Sequence, residues 1–147
     1  MLAAKTVGLG EALQPAFRDY ARQVQTNARA LADQLSEEGL KLATGGTDTP
    51  LMLVDLGALE IEGQAASEKL AAIGITCNKN GIPNDPRPPA TTSGLRFGVS
   101  AMTSRGMAEA EARQIGSWIA GCLLDRQPPG DAVRREVLAM ARGFDFY

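Results

Sequence analysis

Residues 78–98 read NKNGIPNDPRPPATTSGLRFG, and the fold turns on how this stretch is read. It holds four prolines and three glycines, too many for a helix, because proline removes an amide donor and glycine frees the backbone. ITCN (75–78), running into it, is β-branched at two of four positions. GLRFGVS (94–100), closing it, sets apolar Leu95 and Phe97 on either side of Arg96. The stretch therefore reads as a stiffened loop that joins two strands.

Two more strand-like pieces lie upstream. LKLAT (40–44) is followed by the turn GGTDTP (45–50) and then by LMLVDL (51–56), a continuous apolar run that fits a strand buried on both sides. GQAASEKLAAIG (63–74) reads as a short helix with Ala66, Leu70 and Ile73 on one face. Before these comes a long amphipathic helix. Pro15 suits its first turn, Phe17, Tyr20, Val24, Ala28, Leu31 and Leu35 form its apolar face, and Gly39 ends it near Glu38. Residues 2–13 also look helical, but start without a cap, as though a longer helix had been cut. Their Gly-Leu-Gly (8–10) lacks the preceding strand and third glycine of a phosphate loop.

After the last strand the chain turns helical again. Thr103 is expected as an N-cap, with Glu109 and Glu111 near the positive end of the helix and Ala108, Ala112, Ile115, Ile119 and Cys122 on its apolar side. QPPGD (127–131) ends it, and Asp131 caps a final helix carrying Val133, Val137 and Ala141. The fold class is α+β: a small, mainly antiparallel sheet of three or four strands with helices before, between and after. Long helices at both ends suit a sheet with one face packed and the other docked onto something else.

Composition narrows the chemistry. At 147 residues the chain is one ordinary domain, with enough apolar residues (44%) for a core. A formal charge of −2 speaks against nucleic acid or an anionic membrane as the main partner. The apolar stretches fall short of a bilayer span and no leader pattern opens the chain, so a cytoplasmic protein is expected. With no histidine, and with Cys77 and Cys122 as the two cysteines, the usual zinc sets and the Ser-His-Asp and Cys-His mechanisms are excluded within this chain. The cysteines are expected reduced and buried.

Arg96 is the leading candidate for function. Its flanking apolar residues turn it to the opposite face of its strand, and its planar paired donors match a carboxylate. A structural ion pair with Asp85 or another acid is the competing reading. Asn78, Asn80 and Asn84 on a proline-stiffened loop suit a flat heterocycle, whose edge an amide can match with donor and acceptor in one plane. Turn formation explains the same asparagines. Asp48 and Asp55 are expected to cap turns, Tyr20 and Tyr147 to pack, and Glu60 and Glu62 to line a solvated edge.

Four segments, GGTDTPLMLVDL (45–56), GITCNKNGIPNDP (74–86), TTSGLRFG (91–98) and TSRGMAEAEARQIGSWI (103–119), stand in the order and spacing of the C-terminal part of serine hydroxymethyltransferases. Residues 2–35 resemble the helix leading into that family's small domain, and FDFY (144–147) resembles its usual end. The resemblance implies a fold-type I pyridoxal-phosphate enzyme that exchanges a hydroxymethyl group between serine and tetrahydrofolate. It divides the chain into a remnant of the connecting helix (1–14) and the small domain (15–147). It implies that Arg96 clamps the amino-acid carboxylate and that Asn80 lies against the folate pterin. The imine-forming lysine and the other cofactor contacts would belong to a large domain absent from this chain, supplied in cis or in trans. The chain alone would then be inert, and the complete enzyme a homo-oligomer. A free-standing, non-catalytic folate-binding or assembly module is the alternative. Two departures from the family pattern stand out: Pro50 stands for a histidine, and Val99-Ser100 stands for Thr-Pro, which is expected to loosen the junction between strand and helix.

Overall fold

The computed structural model describes residues 2–126 and 131–144. Among the described residues six α-helices, α1 (Leu2–Ala12), α2 (Pro15–Glu37), α3 (Gly63–Ala72), α4 (Ser100–Ser104), α5 (Glu109–Leu123) and α6 (Asp131–Arg142), accompany four strands, β1 (Lys41–Leu42), β2 (Leu51–Asp55), β3 (Asn78–Asn80) and β4 (Gly94–Gly98). The strands form one antiparallel sheet in the order β1-β2-β4-β3. The α+β architecture with a small antiparallel sheet is what the sequence predicts.

Helix α2 forms where the three-and-four spacing of apolar residues predicts it. Val24, Ala28, Leu31 and Leu35 are buried, and Gly39 ends the helix in the left-handed region (φ +95°). Helices α2 and α3 lie against the sheet, and α5 packs on both. Met52, Val54, Leu95 and Phe97 of the sheet join Leu35, Leu70 and Ile119 of the helices in one core. Each such side chain contributes about 1.5–3 kcal/mol by leaving water. Inside this core Asn27 is fully buried, and its amide donates to Thr103 Oγ1 and the Met107 carbonyl, both at 2.9 Å.

Four expectations change. β2 is buried on one face only: Met52 and Val54 are covered, while Leu51 is 47% exposed and Leu53 half-buried. The helical core packs on the Met52 and Val54 side, and the side carrying Leu51 and Leu53 is left partly open among the described residues. The third strand lies at Asn78–Asn80 rather than 75–78, because pairing with β4 outweighs the β-preference of Ile75 and Thr76. Thr103 is buried inside α4, donating to the Val99 carbonyl (2.9 Å), and α5 starts later behind Ala108, whose amide donates to Glu111 (2.9 Å). The strand-to-helix junction is held rather than loose. Val99 is fully buried, its amide donates to the Pro50 carbonyl at 3.0 Å, and Ser100 accepts from the Tyr20 hydroxyl at 3.3 Å. The two departures from the family pattern thus meet in one backbone hydrogen bond.

Asp131 begins α6, while residues 127–130, Tyr147 and most of FDFY lie outside the described residues. Trp118 donates to Glu136 (3.1 Å), and Arg105 donates to the carbonyls of Ala141 and Phe144 at the end of α6. Together these bonds fasten the last helix. Helix α1 contributes no buried residue and touches α2. No helix among the described residues is long and apolar enough to cross a membrane.

Candidate functional site

The outer face of the sheet carries the candidate site. Strand residues alternate between faces, so the pairings Leu53↔Arg96, Asn78↔Arg96 and Asn80↔Gly94 put Leu53, Arg96, Asn78 and Asn80 on the face opposite the core. Arg96 and Asn80 sit one diagonal step apart, roughly 7–8 Å between side-chain roots. The structure thus brings both predicted residues onto one surface. Asp55 and Lys41 share that face at its β1 edge, joined by a 2.8 Å salt bridge. Asp55 also accepts from the Gly57 amide (2.8 Å), as a turn cap does, and the Lys41 bond first, then that amide, lowers its pKa.

Arg96 is exposed, and its guanidinium makes no hydrogen bond or ion pair among the described residues. The structural ion pair with Asp85 is not formed. Asp85 is occupied elsewhere, accepting from Ile82 N (3.1 Å), Ser93 N (2.9 Å), Arg87 N (2.9 Å) and Ser93 Oγ (2.6 Å). Those bonds, the Ser93 hydroxyl foremost, hold its carboxyl down at about 2. Beside Arg96 in register, Leu53 lines a cleft of about 460 Å³ together with Thr44, Thr47, Asp48 and Leu51.

Asn80 is half-buried, and its amide donates to the Gly81 carbonyl at 2.8 Å. It borders a second cleft of about 330 Å³ with Lys79, Asp85, Arg87 and Thr92. Lys79 points to the other side of β3 and donates to the Ala90 carbonyl across the loop. Asn84, the third asparagine of the group, takes φ +55° in the turn, which is the turn-forming reading of that residue. Gly94 is required where it stands. A Cβ there would lie 2.7 Å from Ile82 Cγ2 and 2.9 Å from the carbonyl oxygens of Asn80 and Val54.

The loop itself is closed from several sides. Thr91 and Thr92 carbonyls accept from the first amides of α3, Gln64 and Gly63, at 3.1 and 3.0 Å. Thr92 is buried at φ +56°, a conformation costly for a β-branched residue. Arg87 Nη1 donates to the Ile61 carbonyl (3.1 Å) and to Ser93 Oγ (3.2 Å).

In the sequence Asp85 stands out only as a competitor for Arg96, not for its place in the loop. Its bond to the amide two residues on is an Asx turn, legible from Asp-Pro-Arg. The bonds to Ser93 span eight residues and leave no local signal. Cys77 and Cys122 are free but half-buried rather than buried, and burial raises both thiols, Cys77 to about 11. No group of three or more potential metal ligands occurs among the described residues.

A family model described as serine hydroxymethyltransferase matches residues 1–119. A serine hydroxymethyltransferase of Polynucleobacter necessarius subsp. necessarius is 48% identical over 149 residues, which takes in 100% of this chain and 36% of that protein. One of Jannaschia sp. is 50% identical over 155 residues, 100% of this chain and 35% of the relative. A third, of Crocosphaera subtropica, is 50% identical over 138 residues, 94% of this chain and 32% of the relative. The chain spans about a third of the length of the curated relatives it matches.

Proposed function

This chain belongs to the serine hydroxymethyltransferase family, and from that premise we propose that it is the small-domain part of such an enzyme. In this reading residues 1–14 lead from a large domain and residues 15–147 form the small domain. The whole enzyme, a homo-oligomer, interconverts serine and glycine with tetrahydrofolate as one-carbon carrier and pyridoxal phosphate as cofactor. Arg96 grips the carboxylate of the amino-acid substrate, and Asn80 faces the pterin of the folate. The observation that carries the reading is the guanidinium of Arg96, exposed and without a partner among the described residues, diagonal to Asn80 on the sheet face opposite the core. A cation left without a protein partner in a defined register, next to an amide, fits a carboxylate beside a heterocycle.

Pyridoxal phosphate supplies the electron sink for cleavage at the substrate's Cα, and it needs an imine-forming lysine and a phosphate cradle. The residues present do not fit it. Lys41 is bound to Asp55, Lys69 to Asp125 and Lys79 to the Ala90 carbonyl, while Lys5 stands exposed on α1. The cofactor and the bond-breaking step belong to the large domain, and this chain contributes substrate grip.

Two features support a docked large domain over a free-standing module. The run LMLVDL has the composition of a strand covered twice, yet is covered once. On α1 and just past it, Leu2, Val7, Leu9 and Leu13 are 62–84% exposed, a surface that a free-standing domain would replace by polar residues.

The test joins this chain to the N-terminal part of the Polynucleobacter relative and follows serine-to-glycine conversion. The hybrid should turn over, while the chain alone with pyridoxal phosphate should give neither imine absorbance nor a borohydride-trapped mass. A stoichiometric adduct on one lysine of the lone chain would overturn this division of labour.

A further inference from the structure

We propose that Asp85 is a positioning residue, which sets Asn80 and Arg96 relative to each other without touching either ligand. The inference rests on the assignment of those two residues given above.

The carboxylate is a clasp between the two strands that carry them. Oδ2 accepts from Ile82 N, two residues after Asn80, and from Ser93 N, three residues before Arg96. Oδ1 accepts from Ser93 Oγ and from Arg87 N in the middle of the loop. One side chain thus fixes the end of β3, the start of β4 and the crest between them. Charge-assisted bonds of this kind are about twice as strong as neutral ones. With four protein donors on two oxygens, Asp85 has little left to offer a substrate, which separates it from a binding role.

Three further contacts make its grip specific to the site. Ile82, whose amide Asp85 holds, presses its Cγ2 to 2.7 Å from where a Cβ of Gly94 would be. Gly94 is the residue opposite Asn80 and two before Arg96. Ser93 is fully buried and also accepts from Arg87, so the clasp extends through Arg87 to the Ile61 carbonyl. Directly before Ser93 stands Thr92 at φ +56°, a backbone that persists only when its surroundings enforce it.

Asp85→Asn is the informative change. All four partners present donors, so one amide NH2 must face an N–H or O–H, while the side chain's size is kept. In the full chain, amide exchange at Ile82, Arg87 and Ser93 should speed up by about tenfold or more, with α2 and α5 unchanged. In the hybrid enzyme the KM for serine and the KM for tetrahydrofolate should rise together, each by about tenfold. Arg96→Ala should move only the first and Asn80→Ala only the second. Loss of folded sites would lower kcat and leave both KM values in place. That result, or unchanged exchange at the three amides, overturns the proposal. If Asp85→Asn yields no folded protein, Ser93→Ala, which removes one of the four donors, decides by the same two readouts with a smaller joint shift. Failure of the parent reading looks different: Arg96→Ala would then leave serine saturation untouched while the exchange result at Asp85 still stands.

Discussion

On the inner face of the sheet Met52, Val54, Leu95 and Phe97 are buried under helices, while on the outer face the residues between them, Leu51, Leu53, Arg96 and Asn78, stand half-buried or exposed. The same strands serve both, and each cross-strand pair fixes its neighbours on both sides at once. The inner face does not need Arg96, yet its packing determines where Arg96 points. Core packing and the proposed substrate grip thus fall on alternate residues of β4, which makes them separable by mutation.

The largest contrast is expected between Leu95→Ala and Leu53→Ala. The first opens a cavity in the core and should cost about 2–5 kcal/mol in denaturant unfolding, the second less than about 1 kcal/mol. Equal losses would mean that the outer face is buried in the isolated chain. Next comes Arg96→Ala, which should leave stability within about 0.5 kcal/mol but raise the hybrid's KM for serine about a hundredfold. Arg96→Lys should recover only part, because an ammonium cannot form the paired fork. Unchanged serine saturation in Arg96→Ala would detach the outer face from amino-acid binding. Asn80→Ala should be milder, raising the folate requirement about tenfold and sparing cleavage that needs no folate. Equal loss of both activities would remove Asn80 from the pterin.

The smallest effect is one of pH. The folded carboxyl of Asp85 lies near 2, below its ordinary 3.8, so its contribution is complete above that ordinary value and disappears as pH falls through the folded one. Exchange protection at Ser93, corrected for intrinsic rate, should therefore stay level from neutrality to about pH 4 and decline toward pH 2. In Asp85→Asn this dependence should vanish. A decline already complete at pH 4 would place the titrating group elsewhere.

Much of the inner face was legible in advance. Helical spacing in α2, the alternation about Arg96 and the turn glycine Gly39 are local patterns, and local patterns survive in a linear sequence. The outer face was legible in part. Arg96 announced itself by its apolar neighbours, and LMLVDL, which reads as a strand covered twice, is covered on one face among the described residues. What escaped was set by partners distant along the chain. β3 is placed by its register with β4, Thr103 by the buried amide of Asn27, and Asp85 by a serine eight residues on. The expected looseness at Val99-Ser100 failed for the same reason, since the Pro50 carbonyl that holds the junction lies across the sheet.

The strand order has a consequence for how the protein is made. β4 emerges last of the four strands but lies between β2 and β3. As the chain leaves the ribosome, β1 can pair with β2 early, whereas β3 has no strand partner until Gly94–Arg96 have followed it out. Until then the proline-rich loop has no ladder to close it, and two strand edges await the same partner. The candidate site is therefore the final piece of the sheet to form, so a nascent chain stalled before Gly94 would offer quality-control proteases open edges.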